Sequence, residues 1–118
     1  MYKLEILHHP YNPNDLEEIF AINQANIPEV GNIDNIDRLK RLIDWSCHLI
    51  VVRDKEIAGF IILMRENQSY ESLNYEFFNS QGYPFLYVDR IAIKEEHRRK
   101  GLGQMIYSKT MELSLIHI

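Results

Sequence analysis

Apolar positions change their spacing along the chain, and the changes divide it into extended and helical parts. Lys3 to Leu7 alternates and predicts a first strand. Asn12-Pro13 has the form of a helix start, with an asparagine suited to the N-cap, proline at the first helical position and acidic residues following. Leu16, Ile19, Phe20 and Asn23 then share one mostly apolar face of a helix running to about Ala25. A loop holding Pro28 and Gly31 leads to a second helix from Asn35 to Ser46, with Ile36, Leu39 and Ile43 as its buried stripe. The spacing changes again at His48 to Arg53 and Glu56 to Met64, short runs rich in Ile, Val and Phe. The polar pair Asp54-Lys55 separates them, predicting an antiparallel hairpin whose turn lacks glycine. Ala58 to Met64 is almost continuously apolar, as suits a strand covered on both faces.

Arg65 to Tyr83 reads as a polar and aromatic loop, long enough to be a candidate functional loop. Pro84 to Ile93 predicts a fourth strand. From Gly101 a last helix carries Leu102, Met105, Ile106 and Leu113 on one side. The predicted order is β-α-α-β-β-loop-β-α, an α/β (α+β) domain.

Composition narrows this picture. A chain of 118 residues is one domain with room for a core, and 46% hydrophobic with 25% charged residues is ordinary for a soluble globular protein. No apolar run is long enough to cross a bilayer, and the N-terminus lacks the layout of a signal peptide. With Cys47 as the only cysteine no internal disulfide forms, which suits a cytoplasmic location. The net charge of -4 argues against a general nucleic-acid binder. His8-His9 and Cys47-His48 lack a third ligand at recognised spacing, so no metal is expected.

Chemistry concentrates where the fourth strand meets the last helix. Val88-Asp89-Arg90-Ile91-Ala92-Ile93 runs into Arg98-Arg99-Lys100-Gly101-Leu102-Gly103-Gln104 through a short connection. Glycines let the backbone turn sharply and leave amide hydrogens unshielded. Together with the unpaired donors of a helix N-terminus, those amides favour an anion. Three consecutive basic residues place positive charge at the same spot in an acidic chain. The pattern reads as a phosphate or pyrophosphate cradle, or as a solvated basic turn. It is neither a Walker A loop nor a full dinucleotide fingerprint.

Arg98-x-x-Gly101-x-Gly103 matches the [QR]-x-x-G-x-[GA] signature of the GNAT acetyltransferases, in the place that family gives it. The hairpin Val51 to Phe60 is similar to the family's second and third strands. Asn74-Tyr75-x-x-Phe78, followed by Phe85 to Ile91, resembles a bacterial branch of the family. The resemblance spans Leu4 to about Glu112 and implies a GNAT fold with a mixed, mostly antiparallel sheet. It also implies acetyl-CoA as co-substrate, with an amine of a small molecule or protein as acceptor. Main-chain groups of Ile91, Ala92 and Ile93 would pair with the pantetheine arm, beside a bulge that frees them. Amides from Arg99 to Gln104 would hold the pyrophosphate, with Arg98 opening the motif. An exposed N–H on the strand would stabilise the thioester oxygen as it becomes anionic.

An amine with a pKa near ~10.4 is mostly protonated at neutral pH, so a general base is expected. Asp89 is the first candidate because it lies on the strand expected to hold the thioester, and its competing reading is a salt bridge with Arg90 or another partner. Glu29 is the second, in the loop between the first two helices, where the competing reading is a solvated side chain. Tyr70, Tyr75, Phe77 and Phe78 either rim the acceptor pocket or attach the long loop to the sheet.

The family fold continues with a fifth strand, a further helix and a closing strand pair, and the sequence ends before them. Its ending, LSLIHI, is what one frame of a sequencing-library adapter encodes, so 113–118 is expected to be a non-native tail on a truncated domain. An open sheet edge favours self-association, a homodimer or strand exchange. Two other functions stay open beside the enzyme: a non-catalytic CoA-binding or partner-binding module, which an activity assay separates, and a small nucleic-acid binder using the basic turn.

Overall fold

The structure, a computed structural model, describes residues 1–117, and their side chains as far as Ser114. Its elements in chain order are β1 (Lys3–Leu7), α1 (Pro13–Ala25), α2 (Ile36–Trp45), β2 (His48–Asp54), β3 (Glu56–Arg65), α3 (Leu73–Asn79), β4 (Leu86–Ile93) and α4 (Leu102–His117). A turn of 3₁₀ helix, Glu95–His97, joins β4 to the basic loop. The helix starts follow their capping chemistry. The side chain of Asn12 accepts from the Asn14 N–H, and that of Asn35 accepts from the Arg38 N–H.

The strands form one sheet in the order β1-β2-β3-β4, and each neighbouring pair is antiparallel. Lys55 closes the β2–β3 hairpin at φ 69°, so a non-glycine residue takes the left-handed conformation there. Apolar side chains alternate across the sheet into two cores. Leu49, Val51, Phe60, Ile62 and Met64 pack with α1 and α2 on one face. Ile50, Val52, Ile61 and Leu63 pack with Leu102, Ile106 and Leu113 of α4 on the other. With α1 and α4 on opposite faces, β3 is apolar on both, as expected. Gly59 has a specific reason to be glycine. A Cβ there would lie 2.6 Å from Ile93 Cδ1 and 3.0 Å from the Ala92 carbonyl oxygen, so its absence lets β4 approach.

Several expectations change. The stretch read as a loop from Arg65 to Tyr83 contains α3, whose N-cap Ser72 accepts from the Tyr75 N–H. Seven residues with Leu73, Phe77 and Phe78 exposed carry no apolar stripe, so only a cap and one anchor define this helix. The anchor, Tyr75, is fully buried, and its hydroxyl donates to the Arg65 carbonyl and accepts from the Gln68 N–H. On α1, Ile22 is buried and Phe20 only half-buried; on α2, Leu42 replaces Ile36 in the buried set. Of the expected tail, 113 and 114 lie within α4 with Leu113 buried, whereas the side chains of 115–118 lie outside the described residues.

Candidate functional site

Strand β4 carries one residue more than its partner. Ile62 pairs with Arg90 and Leu63 pairs with Val88, which leaves Asp89 opposite no residue. This is a β-bulge, and it puts the neighbours Asp89 and Arg90 on the same face instead of opposite ones. Beyond the bulge the ladder is regular. The Lys94 N–H donates to the Ala58 carbonyl at 2.7 Å, so even-numbered residues turn their main-chain groups toward β3. Ile91 and Ile93 therefore present theirs to the outer edge, where no strand pairs among the described residues. By the same alternation Ala92 is turned inward, a correction to the expectation that all three face a ligand.

Asp89 and Arg90 form a nearly buried ion pair, with side chains 3% and 10% exposed and Arg90 Nε 2.9 Å from Asp89 Oδ2. The Tyr70 hydroxyl donates to Asp89 Oδ1 at 2.6 Å. Burial and this carboxylate push the Tyr70 phenol well above its ordinary range, so it remains a donor. Arg90 Nη1 donates to Asn23 Oδ1 and to the Gly31 carbonyl, both at 3.0 Å. The network links α1, the α1–α2 loop, the segment before α3 and the bulge. Both Asp89 oxygens are engaged, which is the salt-bridge reading of this residue. Glu29 lies exposed in the turn after α1, two residues before Gly31.

After β4 the chain prepares a set of free donors. Arg98 is extended at φ -71° and ψ 162°, while Arg99 and Gly101 take left-handed φ values of 63° and 77°. The first α4 hydrogen bond runs from the Met105 N–H to the Gly101 carbonyl at 3.1 Å. The N–H groups from Arg99 to Gln104 thus have no main-chain acceptor among the described residues. A Cβ on Gly101 or Gly103 would meet nothing within 4 Å, so both glycines border open space. Arg99, Lys100 and Gln104 are exposed, and Leu102 anchors the helix start in the core at 2% exposure. Arrangement and chemistry fit a diphosphate: successive amides, a helix N-terminus and two free basic side chains.

Arg98 behaves differently from the rest of its motif. Its Nη2 donates to Asn26 Oδ1 at 2.6 Å, on the face of the sheet opposite α4. Before the loop, His97 is held between the Tyr2 hydroxyl at 2.7 Å and Glu56 Oε2 at 3.0 Å. Lys94 Nζ reaches the same Glu56 oxygen at 2.9 Å.

Sequence reasoning passed over Asn23 and Asn26 as partners of the site, and named Tyr70 as a pocket rim or loop attachment but not as the donor to Asp89. A visible signal existed for Asn23: a polar residue on the buried face of α1 requires a hydrogen-bond partner. Of the four loop aromatics, Tyr70 and Tyr75 are buried and pack with their rings tilted at 5.6 Å between centroids, attaching the segment to the sheet. Phe77 and Phe78 are largely exposed. Among the described residues no group of three or more His, Cys, Asp or Glu is placed to hold a metal ion, and no helix is long and apolar enough to cross a membrane.

The sequence matches the acetyltransferase (GNAT) family over residues 15–115. No curated protein matches. Among solved structures, a putative GNAT acetyltransferase from Desulfovibrio desulfuricans is 16% identical with a TM-score of 0.63, over 99% of this chain and 68% of that one. A ribosomal-protein-alanine N-acetyltransferase from Brucella melitensis is 16% identical with a TM-score of 0.61, over 95% of this chain and 70% of that one. Arabidopsis thaliana NAA60 in complex with acetyl-CoA is 16% identical with a TM-score of 0.58, over 97% of this chain and 69% of that one. These likenesses carry the fold, and the family match covers most of the sequence: the chain belongs to the GNAT family of acetyltransferases, which take their acetyl group from acetyl-CoA.

Proposed function

We propose that the protein is an N-acetyltransferase that moves the acetyl group of acetyl-CoA to a primary amine of a small molecule or protein, by direct transfer. The observation that carries this reading is the run of amides from Arg99 to Gln104, without main-chain partners among the described residues, beside a bulged edge strand. The pyrophosphate takes those amides, with Arg99 and Lys100 supplying countercharge. The pantetheine arm pairs with outward main-chain groups of Ile91 and Ile93, and the thioester comes to rest near the bulge at Asp89.

In the transfer, the amine nitrogen attacks the thioester carbon, a C–N bond forms and the C–S bond breaks. The amine's proton passes to a base, and the thiolate leaves. We assign the base role to Glu29 acting through water, since its carboxylate is exposed and its loop is pinned to the bulge through Gly31. Asp89 then holds Arg90 and the loop rather than accepting the proton. Acceptors enter between the α1–α2 loop and the segment carrying Tyr70. A cytoplasmic location accords with the single cysteine.

Calorimetry with acetyl-CoA tests the cofactor half of this reading. Gly101→Glu puts a side chain on a left-handed residue and a carboxylate in the cradle, so binding should be abolished. Binding equal to wild type would refute the assignment. A panel of amines tests the chemistry, with Glu29→Gln expected to lower kcat about 10²–10⁴-fold. Acetyl-CoA binding without turnover of any amine would favour a non-catalytic CoA-binding module.

A further inference from the structure

Arg98 opens the glycine motif, yet its guanidinium is spent elsewhere. Nη2 donates to Asn26 Oδ1 at 2.6 Å, and Nε makes a longer contact of 3.4 Å with the Ile93 carbonyl. Asn26 is the C-cap of α1 and only 7% exposed. Its Nδ2 donates to the Ile22 carbonyl at 2.7 Å, which fixes the amide so that Oδ1 faces Arg98. The guanidinium thereby joins the end of β4, the end of α1 and the start of the loop. The end of α1 is also where Arg90 reaches Asn23, so two cations sit at the negative end of one helix dipole.

We propose that Asn26 is a positioning residue for acetyl-CoA, and that Arg98 is a strut between α1 and the pyrophosphate loop, not a phosphate ligand. The proposal rests on the reading of Arg99 to Gln104 as the pyrophosphate cradle. The cradle consists of main-chain donors, so their direction depends on how the loop is anchored. Leu102 anchors its far end in the core, and at its near end Arg98 reaches α1 while the adjacent His97 is held by Tyr2 and Glu56. A loop ordered in advance loses less freedom when the ligand arrives. The strut spans from the α1 face of the sheet to the α4 face. It therefore ties the cofactor loop to the helix that leads into the acceptor loop.

The test is acetyl-CoA affinity of the whole chain by calorimetry for Asn26→Ala, Arg98→Ala, their double variant, Arg98→Lys, Asn26→Asp and Gly101→Glu, with thermal unfolding of each in the absence of ligand. Asn26→Ala and Arg98→Ala should each weaken binding about tenfold, and the double variant no more than either, because both break one strut. Arg98→Lys should lose as much as Arg98→Ala, since an ammonium keeps the charge but lacks the fork. Asn26→Asp, which keeps an acceptor for Arg98 but loses the donor to the Ile22 carbonyl, should bind better than Asn26→Ala and worse than wild type. Losses that multiply to about a hundredfold in the double variant, or full binding by Arg98→Lys, would show a phosphate ligand and overturn the strut. A lowered melting temperature with unchanged affinity in Asn26→Ala would show a merely structural residue and overturn it too. Arg98 is exposed, so its variants carry the test if Asn26→Ala does not fold. Unchanged affinity in Gly101→Glu would instead remove the cradle itself, whereas loss there without loss in Asn26→Ala removes only the strut.

Discussion

Replacing Arg90 by alanine would strip the bulge of its buried countercharge, and the size of the effect follows from the structure. Three contacts are lost: the ion pair to Asp89 at 2.9 Å and the hydrogen bonds to Asn23 and Gly31 at 3.0 Å. The Asp89 carboxylate, 3% exposed, would retain only the Tyr70 hydroxyl. Removing one partner of a buried pair costs about 3–5 kcal/mol, because the other charge stays behind without compensation. A chain of 118 residues has roughly 6–18 kcal/mol of total stability, so the loss is a large share. With an unfolding entropy near 2.1 cal/mol/K per residue, 118 residues give about 0.25 kcal/mol/K, and the melting temperature should fall by roughly 12–20 °C. Differential scanning calorimetry measures it directly. The double variant Asp89→Asn, Arg90→Ala should melt higher than Arg90→Ala alone, since a neutral amide leaves no orphaned charge. A drop below about 4 °C for Arg90→Ala, or a double variant less stable than the single, would refute the reasoning.

Other expectations are as specific. Gly59→Ala should destabilise by about 1–3 kcal/mol and weaken acetyl-CoA binding, since the Ile93 side chain can yield but the Ala92 carbonyl moves only with its strand; thermal unfolding and calorimetry read the two effects. Tyr75→Phe keeps the buried ring and removes the hydroxyl that serves Arg65 and Gln68, costing about 1–2 kcal/mol and speeding proteolysis between residues 66 and 85. Lys94, and after it His97, hold the Glu56 carboxyl below its ordinary 4.5. A depressed carboxyl stabilises above its unfolded value and loses that stabilisation as pH falls through its folded one, so Glu56→Gln should lose less stability than wild type as pH falls below the ordinary 4.5. Melting temperature against pH checks this, and parallel curves would refute it.

What the sequence made legible was whatever rested on local chemistry or long periodicity. Asn12 and Asn35 announced their helices by capping, and β3 announced its burial by an unbroken apolar run. Gly101 and Gly103 marked the loop proposed as the cradle, where Gly101 is left-handed at φ 77° and a Cβ on either glycine would meet nothing within 4 Å. Features that depend on distant partners stayed hidden. Seven residues of α3 take their place from Tyr75 packing against Tyr87 and Phe85, contacts that no local window contains. Asp89 was noticed for its place on the strand, with a salt bridge to Arg90 as one of its two readings, but its bond from Tyr70 and the face it shares with Arg90 follow from a bulge, and a bulge is a relation between two strands. Arg98 illustrates the same limit: the motif locates the residue, while the direction of its side chain is set by Asn26, 72 positions away.

The extra residue in β4 also separates what the sheet requires from what it carries. Every paired residue on either side of Asp89 shares a face with its partner on β3: Val88 with Leu63, and Arg90 with Ile62. Deleting residue 89 would therefore close the ladder into plain antiparallel pairing without turning a single core side chain outward. Such a protein, one residue shorter, keeps the pairing of the sheet but leaves the Arg90 guanidinium, 10% exposed, without its carboxylate, so it should fold less stably, with Arg90 held by Asn23 and Gly31 alone. The insertion is cargo aboard a self-sufficient sheet, and its removal offers a comparator in which the scaffold survives while the site does not.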